Sequence, residues 1–104
     1  MIEHRPYTYV TLSMKPESTP YVGVSFHTPR LKVSAGMLLS NPRPYLEFRS
    51  SEADVHISTT GAGSVTDADL DLARHIFNAA ARYLADCECL HAEQSAQDAA
   101  DSVA

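Results

Sequence analysis

The chain has 104 residues, 44% of them apolar and 20% charged, with a net charge of −5 and two cysteines. That is the make-up of an ordinary globular chain of one-domain size, not of a disordered tract. It holds no apolar run near the ~20 residues that span a bilayer and too few cysteines for a disulfide scaffold.

The charge is unevenly placed. Residues 1–64 carry six basic groups against five acidic ones, whereas residues 65–104 carry only Arg74 and Arg82 against eight carboxylates. Affinity for duplex DNA comes mainly from neutralising phosphates, so an acidic C-terminal segment argues against that partner. The N-terminus lacks a charged-then-apolar leader pattern, and with the sparse cysteines the chain reads as cytoplasmic, with no membrane partner.

In chain order, Thr8 to Met14 alternates and puts Val10, Leu12 and Met14 on one face. Lys15 to Pro20 contains two prolines and reads as a turn or short loop. Tyr21 to His27 places Val22, Val24 and Phe26 together, Thr28-Pro29 turns the chain, and Arg30 to Ala35 aligns Leu31, Val33 and Ala35. The stretch from Gly36 to Pro44, with its "SNPRP" string, reads as a loop in which Met37, Leu38 and Leu39 fold back over a core edge. Tyr45 to Arg49 and Asp54 to Thr59 supply two further strands, with Leu46, Phe48, Val55 and Ile57 inward. Period-two patterning of this kind belongs to half-buried antiparallel strands, and short connections imply sequential neighbours.

Thr66, followed three places on by Asp69, is a variant capping box. At ~100° per residue, Leu70, Leu72, Ala73, Ile76, Phe77, Ala80, Tyr83, Leu84, Cys87 and Leu90 gather on one arc of the helix that follows. The arc is wider than one core contact requires, which suggests a second subunit. The predicted helix is roughly 24 to 28 residues long.

The expected architecture is therefore α+β: a four- to five-stranded antiparallel meander sheet with one long C-terminal helix packed on one face. Residues 1–94 form the domain and 95–104 a frayed polar tail. The expected core comprises Val10, Leu12, Val22, Val24, Phe26, Leu31, Val33, Leu46, Phe48, Val55, Ile57, Leu70, Ala73, Ile76, Phe77, Ala80, Tyr83, Leu84 and Cys87.

Two motifs invite a chemical reading and do not sustain it. Gly61-Ala62-Gly63 before a helix resembles a phosphate-binding turn, but Thr66 stands where a dinucleotide fingerprint needs its third glycine. No strand follows the helix to complete a βαβ unit, and three aspartates crowd the helix start. Cys87-Glu88-Cys89-Leu90-His91 has metal-ligating residue types. On a helix, however, the two thiols point ~200° apart, and a structural zinc site needs about four convergent ligands. No serine or cysteine has an identifiable base, so neither catalysis nor a cofactor is expected.

The remaining feature is the outer sheet face, where Tyr9, Tyr21, Arg30, Lys32, Tyr45 and Arg49 stand opposite the apolar positions. Tyrosine and arginine are enriched at interface hot spots, although both also stabilise exposed sheets through cross-strand pairs. The sequence thus points to a small non-catalytic protein-binding module, homodimeric, that works through this face or through the acidic helix. The alternative is a binder of single-stranded nucleic acid or a small ligand on the open sheet.

Overall fold

The computed structural model describes residues 5–39, 42–61 and 64–102. The fold is α+β: strands β1 (Tyr7–Ser13), β2 (Tyr21–His27), β3 (Lys32–Leu38), β4 (Arg43–Arg49) and β5 (Asp54–Ser58), then helix α1 (Asp67–Ser102). The chain forms two compact units, residues 1–63 with the strands and residues 64–104 with the helix.

All strand pairing is antiparallel between sequence neighbours, as a meander requires, but the ladder is interrupted once. The strands make a two-stranded sheet, β1-β2, and a three-stranded sheet, β3-β4-β5. The interruption falls at Thr28-Pro29-Arg30-Leu31. Pro29 has no N–H to offer a ladder, and Thr28 Oγ1 accepts the Arg30 N–H at 3.0 Å, so this connector makes its own local bond.

Strand β3 extends to Leu38 and β4 begins at Arg43. Met37 and Leu38 are therefore in a strand, not in the loop that the glycine and prolines suggest. Ser40 and Asn41 of that expected loop lie outside the described residues. Pro44 is tolerated because it pairs with Met37 on one side only, the β5 ladder starting at Tyr45. Gly36 is tolerated because the Tyr45 ring lies over it. A Cβ added there would stand 2.6 Å from the tyrosine oxygen.

Registers confirm the alternation. Val10 pairs with Val24 and Leu12 with Val22, while Val33 pairs with Phe48 and Ala35 with Leu46, and Leu46 and Phe48 pair in turn with Ile57 and Val55. Each sheet thus has one apolar and one polar face. The turn between β4 and β5 is built by Ser50, whose hydroxyl accepts the N–H groups of Glu52 and Ala53, both at 3.1 Å.

The helix opens on a reciprocal capping box. Asp69 N–H donates to Thr66 Oγ1, and Thr66 N–H donates to Asp69 Oδ2, both at 3.1 Å. Such a cap contributes ~1 kcal/mol. The helix runs 36 residues, through Ser102, past the expected 24 to 28. Its last turns hold Ala96, Gln97, Ala99 and Ala100, strong helix formers that continue the backbone after the apolar periodicity has ended.

The residues expected in the core share the faces assigned to them, and none of the described residues is fully buried. Val24, Phe26, Leu31, Leu46, Phe48, Val55, Ile57 and Ile76 are half-buried. Leu12 remains 61% exposed and Phe77 73%.

Candidate interaction surfaces

The six residues of the expected recognition face do not form one patch. Tyr9 and Tyr21 lie on the polar face of β1-β2. Lys32, Tyr45 and Arg49 lie on the polar face of β3-β4-β5, with Glu47, Asp54 and His56. Arg30 is in the connector between the sheets, not on a strand.

Their surroundings differ as well. Arg49 is held by two carboxylates, Glu47 Oε1 at 3.0 Å and Asp54 Oδ1 at 3.4 Å. Arg49 and Asp54 are exposed and Glu47 is half-buried. Such pairs add little to stability, but two carboxylates around one guanidinium leave the spot net negative, which disfavours an anion there. Tyr45 is half-buried and stacks on His56, with ring centroids 5.3 Å apart. That pair, with the ring over Gly36, makes Tyr45 a packing residue of the sheet. Tyr9, Tyr21 and Lys32 remain exposed.

Two residues of these faces escape a sequence reading. Tyr7 stacks on His27 with centroids 4.4 Å apart and rings inclined by 16°. Its position two before Tyr9 was the available signal, since alternation puts both on one face. Arg43 is half-buried and donates from Nη2 to the Thr59 carbonyl, tying the start of β4 to the end of β5. No periodicity reports a contact of that kind.

The helix presents a second surface. Leu70, Phe77 and Leu84 recur every seven residues, as do Ala73, Ala80 and Cys87 three places after each. The three large residues are 44%, 73% and 59% exposed. A shallow depression on this side is lined by Ala73, Arg74, Phe77 and Asn78. The outer side carries Arg82 paired with Asp86 at 3.1 Å, and Cys89, whose thiol approaches Glu93 Oε1 at 3.6 Å. Both cysteines are exposed.

For the two chemical motifs, Gly61 has open space around its Cα, while Ala62 and Gly63 lie outside the described residues. Among the described residues, no three His, Cys, Asp or Glu side chains converge as a metal site would, and no helix is long and apolar enough to cross a membrane. Compared with models of known families, with curated proteins and with solved structures, the chain has no match.

Proposed function

We propose that the protein is a small non-catalytic interaction module whose working form is a homodimer. The observation that carries this reading is the exposure of its apolar faces. The apolar side of each sheet and the seam of the helix are lined by large side chains, and none of the described residues is fully buried. Fully burying one such side chain contributes ~1.5–3 kcal/mol, and each unit, taken by itself, gains stability when another surface covers its apolar face. Two-fold homodimers are the commonest soluble oligomers.

In this reading the apolar faces serve self-association, and the exposed tyrosines Tyr9 and Tyr21, with Lys32, form the part of the polar faces open to a further protein partner. Binding of single strands through Tyr45 and Arg49 has less support, because His56, Glu47 and Asp54 already occupy those side chains.

The test is the molar mass in solution, by light scattering during gel filtration at micromolar concentration. The expected mass is twice the 11.3 kDa of one chain. A mass of one chain at all concentrations rejects the homodimer.

A further inference from the structure

We infer that the self-association surface is the helix seam, and that two copies pair it antiparallel in one register. The inference rests on the homodimer reading above and names the contact that reading leaves open.

The residue sizes along the seam decide the orientation. Taking Leu70, Phe77 and Leu84 as one core position of a seven-residue repeat, the other core position is Ala73, Ala80 and Cys87, all small. A parallel pair would set like against like. Leucine and phenylalanine would crowd their own copies, and alanine would face alanine across a void. A constant helix separation cannot satisfy both layers at interior packing density. An antiparallel pair sets each large residue against a small one, so every layer holds one of each and the helices approach to the short end of the usual ~8–10 Å.

One register does this for all six residues. Leu70 faces the partner's Cys87, Ala73 faces the partner's Leu84, and Phe77 faces the partner's Ala80. The residue numbers in each layer share one sum, so the two-fold axis passes between Asn78 and Ala79. Sliding by one repeat in one direction brings His91 and Gln94 into the seam. Sliding in the other leaves Leu84 and Cys87 facing residues before the helix start at Asp67. The depression lined by Ala73, Arg74 and Phe77 is then the hole that receives the partner's Leu84.

Charge agrees with the same register, although it played no part in choosing it. Arg74, which pairs with Asp71 of its own helix at 3.4 Å through an exposed contact that leaves its other nitrogens available, occupies the same flanking position of the repeat as Glu88, two repeats on. Across the dyad, Arg74 and the partner's Glu88 are offset by ~7.5 Å along the axis. Helical side chains lean toward their own N-termini, which carries these two toward each other. Each dimer makes the pair twice. The acidic ends, with Glu93, Asp98 and Asp101, project from opposite ends of the overlap, whereas a parallel pair would lay them side by side.

Two measurements on the full chain test this. Sedimentation equilibrium reads the dimer constant: Arg74→Glu and Glu88→Arg each weaken it roughly tenfold, and the double variant restores it. The two positions are ~21 Å apart on one helix, so restoration can only come from across the interface. The second measurement uses Cys89, spin-labelled in a Cys87→Ala background that keeps a small residue in the seam. In this register the two Cys89 positions lie ~32 Å apart along the axis, giving a label separation of about 35–40 Å. A separation under about 25 Å means parallel helices and overturns the register while leaving the homodimer intact. A dimer in which the charge swap fails to restore affinity also overturns the register, and means that another face, such as a sheet, covers the seam or makes the contact. Absence of dipolar coupling together with a one-chain mass rejects both the register and the homodimer.

Discussion

At the scale of single residues, the clearest departure from local preference is Glu17. The turn between β1 and β2 closes with the Ser18 N–H donating to the Lys15 carbonyl at 3.2 Å, with Pro16 next and Glu17 at φ +63°. Proline followed by a positive φ is the type II pattern, and the second of these positions favours glycine. A side chain there costs ~1–2 kcal/mol, part of which returns as reduced freedom of the unfolded chain. Glu17→Gly is therefore expected to raise stability by about 1 kcal/mol in urea unfolding, with the slope unchanged. A lowered midpoint contradicts the turn assignment. The cysteines offer a second residue-scale test. Both are exposed in the single chain, but in the proposed dimer Cys87 lies in the seam and Cys89 on the outer side. A thiol reagent is then expected to modify Cys89 quickly and Cys87 slowly at high protein concentration, and both quickly after dilution below the dimer constant. Equal fast rates at high concentration contradict the assigned seam.

At the scale of elements, the β3–β4 hairpin rests on Gly36 and Tyr45. The ring lies where a Cβ on residue 36 would go, at 2.9 Å from the ring carbon that bears the hydroxyl. Stacking on His56 holds that ring in place. Gly36→Ala is expected to destabilise the fold by ~1–3 kcal/mol through overpacking. The same change in a Tyr45→Ala background should cost much less, so thermal melts of the four proteins give a large coupling. Equal costs in the two backgrounds would mean that Tyr45 does not cover Gly36. This pair also explains what was legible in the sequence. Alternation revealed all five strands and their inward faces, because Val10, Leu12, Val22, Val24, Leu46 and Phe48 stand at period two. The hairpin's true length was hidden because its closing residues, Gly36 and Pro44, carry the composition of a loop. They become strand through a ring on one and an unpaired side on the other, and both facts belong to the tertiary structure. The helix start was legible for the opposite reason, since a capping box is a local device complete within Thr66 to Asp69.

At the scale of the whole molecule, sequence patterning identified which faces are apolar but not what covers them. Phe77 and Leu84 have the same spacing whether the seam meets a sheet or a second helix, so the pattern alone does not choose. What distinguishes self-association is mass action. If folding is completed only in the dimer, stability depends on the concentration of chains. Each tenfold dilution then removes ~1.4 kcal/mol per dimer. With the unfolding entropy of two chains of this size, the expected fall in melting temperature is about 3 °C per decade of concentration. Circular dichroism at 222 nm between 1 and 100 micromolar measures this directly, provided the melts are reversible. A melting temperature independent of concentration would mean that a single chain closes its own core, and the apolar helix seam would then have to be covered from within.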